Sequence, residues 1–98
     1  MVKTLFEHQL QNKIIILDGA MGTMLQEGNL TTNDFGGEVY EGCNEYVTIT
    51  RPDIVEDIHR AYLTAGADVI ETNTFGATSI VLDEFELGHM AEELNYRA

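Results

Sequence analysis

Two short polar segments carry the side chains best suited to chemistry. The first is Asp18-Gly19-Ala20-Met21-Gly22-Thr23, and the second covers residues 72–76. The first segment offers a carboxylate and several backbone N–H groups at a possible helix start, which suits a zwitterion: an ammonium on Asp18 and an acid on the amides. These residues favour an amino-acid ligand. Asp-Gly is also an ordinary turn at the end of a strand, so spacing alone leaves both interpretations open.

Each polar segment follows a run of residues that favours a β-strand. Ile14-Ile15-Ile16-Leu17 is continuously apolar, which is typical of a central strand buried on both faces. Residues 67–74 alternate between apolar and polar and end in small polar side chains. We therefore expect the two polar segments at the ends of two strands.

A helix is predicted between these strands. An apolar stripe falls on one face at helical spacing, formed by Ile54, Val55, Ile58, Ala61, Tyr62 and Ala65. Thr50 is predicted to cap the helix, Pro52 lies near its first turn, and Gly66 ends it. Strand, helix and strand in this order predict a parallel pair of the α/β class, whose ligands bind at the carboxyl ends of the strands.

Other parts of the chain favour helices and a long loop. Residues 2–11 form a weak amphipathic pattern, residues 20–25 are suited to opening a helix, and glycines between positions 28 and 42 indicate a loop. Two further helical stretches are predicted over residues 79–85 and 89–98. No stop residue closes the last apolar stripe, so we expect an incomplete α/β protein.

Composition and charge argue against several classes of partner and site. The 98 residues are 44% hydrophobic and contain one proline, as in a globular protein. A formal charge of -12 argues against nucleic acid or an anionic membrane as partner. No apolar run reaches the roughly 20 residues of a membrane span, and the first residues lack a signal-peptide core, so we expect a cytoplasmic protein. The single cysteine, Cys43, has no disulfide partner and no neighbour at metal-ligand spacing.

Two alternatives belong to other functional classes. A nucleotide-binding half-domain would use Gly19 and Gly22 as a phosphate turn, but their spacing differs from G-x-G-x-x-G and the next strand begins only near Asp68. A non-catalytic protein that pairs with a separately encoded remainder of its domain is the other alternative. Genomic context or co-purification would distinguish it from a truncated enzyme.

The strongest indication of function is a resemblance. Leu17-Asp18-Gly19-Ala20-Met21-Gly22-Thr23-Met24 and Ala65-Gly66-Ala67-Asp68-Val69-Ile70-Glu71-Thr72-Asn73-Thr74-Phe75 are similar, in order and separation, to two segments of the homocysteine S-methyltransferase family. The sequence between them, including Cys43-Asn44-Glu45, Arg51-Pro52-Asp53 and Ile58-His59-Arg60-Ala61-Tyr62, most resembles the family's cobalamin-dependent methionine synthases. The likeness runs from about residue 14 to the end of the chain.

This resemblance implies a fold and a reaction. Residues 1–98 would be the N-terminal two βα units of a homocysteine-binding (β/α)8 TIM barrel, which is incomplete here. The parent would transfer a methyl group from methylcobalamin, recharged by methyltetrahydrofolate, to zinc-activated L-homocysteine and release L-methionine. Its partners would be L-homocysteine, the remaining barrel, and the folate and cobalamin domains.

The resemblance also assigns residues. Asp18 matches the aspartate that holds the homocysteine amine, and the backbone of Gly19 and Ala20 lies where the amino-acid end of the substrate is gripped. Thr72 and Asn73 line the same mouth, either in contact with substrate or bonded only to the neighbouring loop.

The chain departs from the family pattern in its metal ligands. The family holds zinc with three cysteines on later strands, and Cys43 with His59 or His89 is a poor substitute for such a set. We therefore expect neither zinc nor methylcobalamin to be bound by this chain alone, and we expect it to be inactive and poorly folded or aggregating by itself. A cobalamin-independent relative that uses S-methylmethionine is the alternative within the family.

Overall fold

In a computed structural model, helices form most of the regular structure of residues 2–98, with side chains described from residue 4 onward. The α-helices are α1 (Val2–Asn12), α2 (Met21–Glu27), α3 (Val47–Thr50), α4 (Pro52–Ala65), α5 (Ser79–Leu82) and α6 (Ala91–Arg97). Short 3-10 turns lie at Glu38–Tyr40, Asn44–Tyr46, Asp83–Phe85 and Gly88–Met90. The predicted helices over residues 2–11, 20–25, 79–85 and 89–98 are therefore present, and the last two are partly in 3-10 form.

Helix α4 confirms the central helix predicted from the apolar stripe. Pro52 occupies its first turn, and Gly66 ends it in the left-handed region at φ 115°. The predicted cap by Thr50 is wrong, because Thr50 ends α3 and its hydroxyl donates to the Asp34 carbonyl at 2.6 Å. Arg51 precedes α4 without a capping side-chain hydrogen bond.

The two predicted strands are reduced to one parallel contact. Leu17 and Val69 form a single parallel bridge, flanked by hydrogen bonds from the Asp18 N–H to the Val69 carbonyl (3.0 Å) and from the Asp68 N–H to the Ile16 carbonyl (2.8 Å). The prediction of a buried central strand over residues 14–17 is wrong for the described chain, since Ile14 is 84% exposed. A central strand needs neighbours on both edges, and within residues 2–98 this segment pairs along one edge only.

Two apolar clusters hold the helices together. The first joins α2, α3 and α4 through Leu25, Val47, Val55 and Ile58. The second contains Cys43, Leu82, Leu87 and Leu94, with Ile49 of α3 packed against it. Helix α3 therefore links the clusters, and the glycine-rich loop before it is anchored at both by Phe35 and Cys43.

Candidate functional site

A cleft of about 300 Å³ lies at the ends of the two strand-like segments, which are residues 14–17 and residues 67–74. All five residues predicted to bind substrate line it: Asp18, Gly19, Ala20, Thr72 and Asn73. The rest of its lining consists of Met21, Gly22, Asn44, Glu45, Glu71, Thr74 and Phe75. The parallel direction of the segments explains this convergence, because their carboxyl ends reach the same edge.

Asp18 is hydrogen-bonded to the second strand-like segment through both its backbone and its side chain. Its N–H donates to the Val69 carbonyl, and its Oδ2 accepts a hydrogen bond from the Glu71 N–H at 3.1 Å. The half-buried carboxylate lies in the cleft wall. A cation in the cleft would therefore meet a negative charge fixed by backbone hydrogen bonds.

The turn after Asp18 is fixed by a residue from α4. The Tyr62 hydroxyl donates to the Ala20 carbonyl at 2.7 Å, although the two residues are 42 positions apart. A Cβ atom at Gly19 would lie 3.0 Å from the Tyr62 hydroxyl oxygen and 3.1 Å from its Cε1. Tyr62 was predicted only as part of the apolar stripe, because periodicity does not show which atom the hydroxyl of a packed tyrosine reaches.

The side chains of Thr72 and Asn73 form hydrogen bonds to other residues of the chain. The hydroxyls of Thr72 and Thr74 are 2.8 Å apart. The Asn73 side chain is 6% exposed, and its Nδ2 donates to the Asn44 carbonyl at 2.8 Å. Both residues thus reach the cleft wall, and Asn73 also attaches the long loop to it.

Asn44 and Glu45 bring the long loop into the cleft, and neither was predicted as a site residue from the sequence. Glu45 Oε2 accepts a hydrogen bond from the Gly76 N–H at 3.3 Å. A Cβ at Gly76 would lie 3.2 Å from the Glu45 Cδ, so glycine permits this approach. With Asp18 and Glu71, Glu45 makes the cleft lining rich in carboxylates and suited to a ligand with a cationic group.

The described residues do not fit a zinc site. In residues 2–98, no group of three His, Cys, Asp or Glu side chains is placed to hold a metal ion. Cys43 is 1% exposed in the second apolar cluster, where burial raises the pKa of its thiol and disfavours the thiolate that binds metals.

In the part of the chain that the structure describes, no helix is long and apolar enough to cross a membrane.

Comparison with known proteins agrees with the resemblance. A family model described as homocysteine S-methyltransferase matches residues 15–98. The chain is 47% identical over 88 residues to the methionine synthase of Mycobacterium leprae (strain TN). The aligned residues are 90% of this chain but 7% of that protein, so the chain spans a small part of its relative. The family match includes all five predicted residues of the cleft.

Proposed function

Since the chain belongs to the homocysteine S-methyltransferase family, we propose that its cleft binds the amino-acid end of L-homocysteine. The observation that carries this proposal is the position of Asp18, whose carboxylate lines the cleft beside the backbone of Gly19 and Ala20. The substrate ammonium pairs with Asp18, and the substrate carboxylate accepts hydrogen bonds from backbone N–H groups of the turn after Asp18. Glu45 and Glu71 add negative charge that favours the ammonium end.

We further propose that these residues form the first two βα units of a (β/α)8 barrel. Their parallel contact and the cleft at its carboxyl end support this arrangement. Neighbouring barrel elements would cover several large apolar side chains of α1 and the first strand-like segment that remain exposed. These are Leu5, Phe6, Leu10, Ile14, Ile16 and Leu17. The remaining barrel is therefore the first partner that the proposal requires.

We propose that the complete reaction also needs groups that lie outside the described residues 2–98. In the proposed parent, a methyl group passes from methylcobalamin, recharged by methyltetrahydrofolate, to zinc-activated L-homocysteine, and L-methionine is formed. The zinc ligands and the folate and cobalamin domains belong to other parts of that cytoplasmic protein. The residues described here bind and orient the amino acid.

Two titrations test the proposal. The first uses the 98-residue chain with L-homocysteine, with and without zinc. The second uses a chimaera in which this chain replaces the 88 aligned residues of the Mycobacterium leprae methionine synthase. We expect no binding to the chain alone, and both L-homocysteine binding and L-methionine formation by the chimaera. A folded chimaera that does not bind L-homocysteine would refute the proposal, and zinc-dependent binding by the chain alone would refute our assignment of zinc to other parts.

A further inference from the structure

Tyr62 connects a packed helix to the turn that lines the cleft. Its ring packs against the first apolar cluster, which includes Val55 and Ile58 of its own helix. Its hydroxyl leaves this cluster and donates to the Ala20 carbonyl at 2.7 Å. One end of the side chain is thus fixed by packing, while the other holds the backbone of the cleft.

The Tyr62 hydroxyl bonds to the part of the turn that lies between Asp18 and helix α2. Asp18 is bonded to the second segment through the Val69 carbonyl and the Glu71 N–H. Helix α2 begins at Met21, and Ala20 supplies no capping side-chain hydrogen bond. Gly19 and Ala20 lie between these two anchors. Tyr62 bonds to the Ala20 carbonyl and lies so close to Gly19 that a Cβ there would be 3.0 Å from the Tyr62 hydroxyl oxygen.

The contact also fixes the direction of a peptide group. The C=O and N–H of a trans peptide point in opposite directions, so a carbonyl of Ala20 held on Tyr62 turns the N–H of Met21 away from Tyr62. The close approach depends on Gly19, because a Cβ there would lie 3.0 Å from the Tyr62 hydroxyl oxygen. Tyrosine and glycine therefore work as a pair.

We propose that Tyr62 is a positioning residue that holds the turn of residues 18–20 in the conformation that receives the amino-acid end of the substrate. This inference rests on the proposed function and extends it to a residue of α4. Tyr62 does not reach the reacting sulfur in this account. It acts through the backbone of Gly19 and Ala20, so it sets amino-acid affinity and leaves the methyl-transfer step unchanged.

The test compares Tyr62→Phe with Tyr96→Phe in the chimaera. Tyr62→Phe removes the hydroxyl and keeps the packed ring, whereas Tyr96 is 88% exposed on α6 and is not among the cleft residues. Loss of this exposed hydrogen bond should raise the Kd and KM for L-homocysteine about three- to tenfold. We expect kcat and the KM for the methyl donor to stay the same, and Tyr96→Phe to behave as the wild type. Gly19→Ala should raise the Kd as well, because its Cβ displaces the ring.

The outcomes separate this inference from the function on which it rests. If the wild-type chimaera binds L-homocysteine and Tyr62→Phe binds it equally well, the positioning role is refuted and the proposed function stands. A fall in kcat without a change in KM would indicate a general structural effect and would also refute the role. If the folded wild-type chimaera does not bind L-homocysteine, the proposed function and this inference fail together.

Discussion

At the scale of single residues, Asp18 combines a structural bond with a free charge in the cleft. Asp18→Asn keeps an oxygen that can accept the Glu71 N–H and removes the negative charge that would pair with an ammonium. A hydrogen bond between charged groups contributes about 1.5–3 kcal/mol, so we expect affinity for L-homocysteine to fall by one to two orders of magnitude. Calorimetric titration of the chimaera measures this change.

The matched control for that variant is Asp57→Asn. Asp57 is an exposed acid on α4 and is not part of the cleft lining, so its removal changes the net charge of the protein equally. We expect Asp57→Asn to bind L-homocysteine like the wild type. Equal losses in the two variants would mean that overall charge, and not a contact with Asp18, determines affinity.

The residues of the cleft could be predicted unequally from the sequence. The strand-like runs predicted that the segments of Asp18 and Asn73 meet at one edge, because the ends of parallel strands converge, and the family resemblance assigned these two residues to the substrate. Glu45, which lines the cleft, and Tyr62, which bonds to the Ala20 carbonyl, were missed because each belongs to an element distant in sequence. A helical stripe predicts which residues face the core, but it does not predict which backbone a hydroxyl or carboxylate touches.

At the scale of elements, Asp68 ties the second strand-like segment to the first. Its carboxylate accepts hydrogen bonds from Lys13 Nζ at 2.7 Å and from the Ile16 N–H at 3.0 Å. These two bonds, Lys13 first, lower the pKa of Asp68 below its ordinary value. Their contribution to stability is therefore fully present above the ordinary value of about 4 and is lost as the pH falls through the lowered pKa.

Lys13→Met tests this link directly. Removing the ammonium should move the pKa of Asp68 upward, while Lys13→Arg should keep it low because the positive charge remains. The pH dependence of amide exchange at Ile16, whose N–H bonds to Asp68, follows both pKa values in the folded chimaera. The same low pKa in wild type and Lys13→Met would contradict the role assigned to the ion pair.

The end of α4 gives a second prediction at this scale. Gly66 has φ 115°, and a Cβ there would meet no atom within 4 Å, so Gly66→Ala is expected to cost about 1 kcal/mol through backbone strain alone. Amide exchange should then accelerate at position 66 and at Ala67, whose N–H groups bond to Leu63 and Tyr62. Hydrogen exchange followed by mass spectrometry measures this in the chimaera.

Gly22→Ala is the control for Gly66→Ala. Gly22 lies within α2, and a Cβ there would be 3.6 Å from the Asn44 Nδ2, an ordinary contact distance. Alanine favours a helix over glycine, so exchange in α2 should be unchanged or slower. Faster exchange in both variants would show that the left-handed conformation of Gly66 is not the cause.

The elements also differ in how far the sequence determines them. Helix α4 was predicted because its stripe, proline and terminal glycine all depend on neighbours along the chain. The segment over residues 14–17 was predicted as a buried strand, but its regular hydrogen bonding depends on strands that lie beside it. Within residues 2–98 it has one such neighbour, and a single bridge results.

At the scale of the whole molecule, the chain is more open than a closed domain of its size. Its radius of gyration is 15.2 Å, whereas about 13 Å is expected for 100 residues. Its accessible surface is 6840 Å², compared with about 5600 Å² for a folded protein of this mass. The excess agrees with the exposed apolar side chains of α1 and the first strand-like segment.

This openness predicts the behaviour of the isolated chain. An unpaired apolar edge favours association with other chains, so we expect concentration-dependent self-association and a broad thermal transition. Analytical ultracentrifugation with circular dichroism would measure both. A monomer with a sharp, cooperative melt would contradict the expectation, and a double variant with charge on the edge, Ile14→Lys and Ile16→Lys, should reduce association.

The most direct test of the central claim is calorimetric titration of the chimaera with L-homocysteine, with wild-type Asp18 and with Asp18→Asn side by side. We predict that the wild type binds and that the variant binds at least ten times more weakly. Equal binding by the two folded proteins, or no binding by either, would contradict the claim that this cleft holds the amino-acid end of L-homocysteine.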